Sequence, residues 1–229
     1  MPNARTQPTD DSPCPRLADC HAYRWFGLVF AGALAYVVVR YHVFKGVEWI
    51  HLPLYVMNKA VSLAAVALVA SSYLVARWAP VLADEPGKRV VLARFLGLSG
   101  FALAAAHVVM SLALLSPAYY EKLFGAGQMN LTGELSILFG LAALWFLSAP
   151  VLTSLPNMEE ALGSRRWRKS QRLGYLAQAA AAGHVLVMGV SGWLTPAKWP
   201  GSMPPVTMLA FVAALIPLLA RLLPRRPVR

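Results

Sequence analysis

Two of the five histidines in the 229-residue chain, His107 and His184, stand within long apolar runs. His107 lies in LARFLGLSGFALAAAHVVMSLALL, residues 92–115, and His184 in QRLGYLAQAAAAGHVLVMGVSGWL, residues 171–194. Each run has an arginine near its start: Arg94, thirteen residues before His107, and Arg172, twelve before His184. At a rise of ~1.5 Å per residue, both imidazoles stand roughly 18–20 Å from that edge and level with each other. Three, seven and ten residues before His107 lie Ala104, Gly100 and Gly97; at the same offsets before His184 lie Ala181, Ala177 and Gly174. These offsets follow one helical face, so each histidine tops a stripe nearly free of side chains. A flat prosthetic group fits between two such stripes, with both imidazoles on its metal and Gly100, Ala104, Ala177 and Ala181 lining it.

An imidazole inside a bilayer needs a partner, because unpaired polar groups are costly there. A zinc or copper site calls for more cysteine, histidine or carboxylate ligands than this depth offers. A non-haem iron site calls for an added carboxylate, and no span supplies one at mid-depth. Haem iron needs two axial imidazoles and an apolar slot. The competing reading has the histidines bonding to carbonyls while the Ala/Gly faces simply let helices pack closely. From the residues alone both readings stand.

The elements that must position these groups follow from composition. Hydrophobic residues make up 58% of the chain and charged residues 14%. Six runs are long enough to cross a hydrocarbon core, which takes about 20 residues each. They cover residues 25–44, 53–76, 92–115, 131–153, 171–194 and 206–223. The expected fold is an all-α, six-helix membrane bundle over residues 24–224, between a disordered tail (1–23) and a short basic tail (225–229). The loops are too short for a flavin, nucleotide or iron–sulfur domain.

The net charge of +11 is placed in a way that argues for a membrane rather than a nucleic-acid partner. Sixteen of the 21 Lys and Arg residues fall in the two tails and in the second-to-third and fourth-to-fifth connections. The other side holds Lys45, Lys122 and Lys198, with Arg40 and Lys59 near helix ends. By the positive-inside tendency, both termini face the cytoplasm. The first run lies behind a polar tail and is long enough to span, so it reads as an anchor rather than a cleaved signal. Cys14 and Cys20 then lie in a reducing compartment. Their C-x5-C spacing followed by His21 is a weak metal signal. Lys59 either snorkels outward, pairs with Glu134, or meets an acidic group on a cofactor.

The string RFLGLSGFALAAAHVVMSL resembles the third-helix pattern of the ferric reductase-like transmembrane superfamily, R-x-L-G-L followed by histidine. LGSRRWRKSQRLGYLAQ and the following His184 are similar to the R-R-W…R-L-x-Y…H segment of its bacterial MsrQ (YedZ) branch. The resemblance runs from Arg94 to about Met188. It implies haem b held by His107 and His184 in the bacterial cytoplasmic (inner) membrane. It further implies electron transfer from quinol or a cytoplasmic flavin reductase to a periplasmic partner, in that branch a molybdenum-cofactor reductase acting on methionine sulfoxide. One position departs from the family. A second histidine thirteen residues before His184 is expected, and Gln171 stands there. A single haem in the outer half is therefore expected, with Arg94, Gln171 and Arg172 forming an inner polar rim that anchors at the interface or contacts a quinone or FMN. The alternatives are a stand-alone ferric or quinone reductase-like cytochrome, and a non-redox transporter or assembly factor that has lost the cofactor.

Overall fold

The computed structural model describes residues 17–78 and 86–223. Six helices are long and apolar enough to cross a membrane: His21–Phe44, Trp49–Arg77, Arg89–Ala113, Leu131–Leu152, Ser164–Trp193 and Pro200–Leu222. Their regular parts are α1 (Leu17–Val38), α2 (Met57–Trp78), α3 (Pro86–Ala113), α4 (Leu131–Leu152), α6 (Ser164–Trp193) and α7 (Val206–Leu222). A short α5 (Met158–Leu162) interrupts the connection before α6. The all-α, six-span plan read from hydropathy is therefore present.

Helix α2 is the hub, packing on α1, α3 and α7. Val56, Ala60, Ala64 and Leu68 are all fully buried. Their spacing of four keeps them on one helical face, and the alanines let neighbouring backbones approach. The remaining helices turn large apolar residues outward, Leu138, Leu141 and Trp145 on α4 among them. That is the pattern of helices whose outer faces meet lipid instead of water. A second pairing, α4 with α6, stands opposite α2 with α3. The space between the two pairs is where the site lies.

Two boundaries differ from the hydropathy reading. Helix α1 begins at Leu17, before the span start expected near residue 25. Ala22 explains this, since it is 2% exposed and packs with Leu68, Val75, Leu92 and Leu96. At the other end, α1 runs into a π-helical turn, Val39–Phe44, and another, Leu52–Val56, leads into α2. Such wide turns are rare and gather at functional sites. Here they contain Arg40, Tyr41 and Tyr55. Cys14 and residues 225–229 lie outside the described residues, while Cys20 falls in the first turn of α1.

The connection between α3 and α4 forms a small hairpin, β1 (Phe124–Gly125) with β2 (Gln128–Met129). Ala126 and Gly127 both take positive φ, as a two-residue hairpin loop requires. Leu123, just before it, is buried against the start of α4, where Gly133 leaves room for its carbonyl.

Candidate cofactor site

Helix α3 carries His107 and α6 carries His184, and the two rings face each other. Their centroids are 6.4 Å apart and their planes cross at 76°. His184 Nδ1 lies 2.8 Å from the Ser136 carbonyl oxygen on α4. A carbonyl only accepts, so Nδ1 carries the proton and Nε2 a bare lone pair. His107 Nδ1 lies 2.7 Å from Asn58 Oδ1 on α2. The Asn58 amide nitrogen donates to Ser111 Oγ and Tyr120 Oη, both at 3.0 Å, which fixes Oδ1 as the acceptor. His107 therefore has the same tautomer. Among the described residues neither Nε2 has a hydrogen-bond partner.

Two neighbouring imidazoles thus each keep an Nε2 without a hydrogen-bond partner among the described residues. Holding the far nitrogen by a carbonyl or amide oxygen is how proteins orient metal-ligating histidines. Imidazole–metal bonds of about 2.0–2.1 Å, with about 1.1 Å from each nitrogen to its ring centre, give a centroid separation of ~6.3 Å for two rings on one metal. The observed spacing agrees. Among the described residues no third His, Cys, Asp or Glu joins them. A metal held here would take His107 and His184 as its ligands from the described residues.

The rings open onto a cavity of about 590 Å³. That is within the range of about 300–1,000 Å³ usual for cofactor sites. Ala104, Ala181 and Gly140 line it beside the histidines. Gly140 matters because a Cβ there would sit 3.2 Å from His184 Nδ1. Its floor is Val69 and Leu147, with Ala177 beside them. Arg40, Lys45, Lys59, Lys122 and Lys198 line its mouth, and no carboxylate lines it among the described residues. Lys59 turns inward with its ammonium 4.2 Å from the Tyr55 ring centre and within reach of Tyr41 and Tyr120. It forms no ion pair with Glu134, which is exposed at the start of α4. Arg40 is buried and donates to the Met203 carbonyl. Burial, and then repulsion from Arg40 and Lys122, pushes the Lys45 ammonium below its ordinary value. Burial pushes the Tyr120 hydroxyl upward, so it stays a neutral donor and acceptor. The site suits a flat, largely apolar ligand with negative groups at one edge.

The small-residue stripes only partly form the expected slot. Ala104, Ala177 and Ala181 line the cavity, whereas Gly100 does not. A Cβ at Gly100 would lie 2.6 Å from Val69 Cγ2 and 3.1 Å from the Ala65 carbonyl, so this glycine serves close packing of α3 on α2. Gly97 likewise faces Ser72, and Gly174 faces Tyr73, whose hydroxyl donates to the Gln171 carbonyl. Close packing thus accounts for the inner half of each stripe and the cavity for the outer half. Sequence reasoning did not find Ser136, Gly140 or the role of Asn58. Their one sequence signal is a small or polar residue at histidine depth, counted from the outer ends of α2 and α4.

Arg94, Gln171 and Arg172 line a second chamber. Gln171 is already engaged. Its amide donates to the Pro150 carbonyl (3.1 Å), Thr153 Oγ1 and Ser154 Oγ, closing the end of α4. No protein-family model matches the chain, and no curated protein matches it significantly. The resemblance to the ferric reductase-like superfamily therefore rests on the quoted residues alone.

Proposed function

We propose that this chain is a multi-pass protein of the bacterial cytoplasmic membrane that binds one haem b and carries electrons to a periplasmic reductase, as the methionine sulfoxide system does. The observation that carries the reading is the pair of imidazoles with centres 6.4 Å apart, both held through Nδ1 and both with Nε2 left without a hydrogen-bond partner among the described residues. Haem bound there supplies one-electron redox chemistry.

The protein's own contribution is to orient and to exclude water. Asn58 and the Ser136 carbonyl set the ring orientations before anything binds. The Val69–Leu147 floor and the Ala104 and Ala181 faces keep the ligand's body dry. Lys45, Lys59 and Lys122 offset carboxylates at the mouth. The electron donor is quinol or a cytoplasmic flavin reductase, and the termini lie on the arginine-rich, cytoplasmic side. The periplasmic acceptor and the identity of the membrane rest on the resemblance.

Purified protein titrated with haemin tests the reading. The expected outcome is a low-spin, two-imidazole absorption spectrum saturating at one haem per chain. It is lost in both His107→Ala and His184→Ala while each variant still elutes as folded protein. A wild-type protein that folds and stays colourless with haem in excess overturns it.

A further inference from the structure

The second chamber, of about 670 Å³, lies between the inner ends of α2, α3, α4, α6 and α7. Arg77, Arg89, Arg94, Arg168, Arg172 and Arg221 line it, and no carboxylate lines it among the described residues. Its deeper wall is apolar: Val69, Leu98, Leu147 and Val151. Two of these arginines, Arg77 and Arg221, meet no acid among the described residues. Arg77 Nε is buried with no hydrogen-bond partner, although the same guanidinium donates to the Leu223 carbonyl. Arg221 rests over the Tyr175 ring at 4.7 Å instead of against an acid.

Guanidinium groups match phosphate in charge and in planar, paired donor geometry better than any other side chain. Basic pockets between membrane helices at headgroup depth take phosphate-bearing lipids. We infer that the arginine-lined inner chamber is a binding site for a phosphate group. Arg94 and Arg172 face it from α3 and α6, and the apolar wall beneath receives whatever chain the phosphate carries. The inference stands apart from the haem reading, since it rests on the arginines and shares with the histidine cavity only the apolar Val69 and Leu147 between them.

Delipidated full-length protein in a neutral detergent provides the test, read by native mass spectrometry and thermal unfolding. Phosphatidylglycerol is expected to bind about tenfold more tightly than phosphatidylcholine. The preference disappears in Arg94→Gln/Arg172→Gln and persists in Arg165→Gln/Arg166→Gln, which removes the same charge from exposed positions outside the chamber. Should the first pair fail to fold, the single exposed change Arg172→Gln replaces it and is expected to weaken the preference. Inorganic phosphate separates the sources. Stabilisation by phosphate without any lipid preference, lost in the same variant, assigns a free phosphate compound. Competition between phosphate and phosphatidylglycerol assigns the headgroup. No response to either ligand, or equal loss in both double variants, overturns the inference.

Discussion

Asn58 and Ser136 hold the two imidazoles in chemically different ways, and the difference is testable. His184 leans on a backbone carbonyl, so Ser136→Ala removes a 3.2 Å hydroxyl contact and leaves the main acceptor in place. His107 leans on a side chain, so Asn58→Leu removes its 2.7 Å acceptor at a position 1% exposed and leaves its Nδ1–H only the longer 3.4 Å contact with Ser111 Oγ. Leaving buried polar groups unpaired costs about 1–3 kcal/mol. Losing an outer partner of a ligating histidine costs about 10–100-fold in affinity for the metal group. Haem titration and thermal unfolding should therefore show Asn58→Leu strongly impaired and Ser136→Ala close to wild type. Equal effects would mean that the tautomers are not set as described. Lys45 adds a pH dependence of definite sign. Its pKa is lowered in the unliganded protein, and an anion at the mouth raises it again, so binding takes up a proton. Affinity for an anionic ligand should fall as pH rises through the Lys45 range, and Lys45→Gln should flatten that slope.

At the scale of helices, two glycines separate packing from cofactor space. Gly100→Ala brings a methyl against Val69 N at 3.0 Å and the Ala65 carbonyl at 3.1 Å, both backbone atoms that no rotamer change can move. Overpacking of this kind costs about 1–3 kcal/mol. The gain from replacing glycine within a helix is about 1 kcal/mol. A net loss in thermal stability is the expected result. Gly174→Ala instead meets the Tyr73 ring and its hydroxyl, and a side chain can swing away. A double-variant cycle with Tyr73→Leu should show coupling of about 0.5–3 kcal/mol, whereas Gly100→Ala should be additive with the same change. These contacts explain what the sequence could and could not show. The Ala/Gly offsets were readable because helical periodicity is a local property. What each small residue faces was not, since Val69 and Tyr73 on α2 come from a different helix and leave no trace in spacing. The π-helical turns containing Arg40 and Tyr55 escaped for the same reason: α and π turns have the same apolar composition.

Across the whole molecule, six long apolar runs became six long helices, because a run of that length has few ways to satisfy its backbone outside water other than a helix. That the two histidines stand level with each other was equally legible, since level along a helix is a residue count. The arginines at the helix ends were legible as an edge, but their convergence into one chamber was not, because five helices contribute to it. The orientation proposed from the same charge asymmetry makes its own prediction. In a Cys14→Ser/Cys20→Ser background the chain has no other cysteine, so a single introduced thiol reports one side of the membrane. Gln128, exposed in the hairpin between α3 and α4, and Arg165, exposed at the start of α6, lie on opposite sides if the basic segments stay inside. In intact cells a membrane-impermeant maleimide should label Gln128→Cys and spare Arg165→Cys, with both labelled after permeabilisation. The reverse pattern would put the cation-lined cavity mouth on the cytoplasmic side and rule out delivery of electrons to a periplasmic partner.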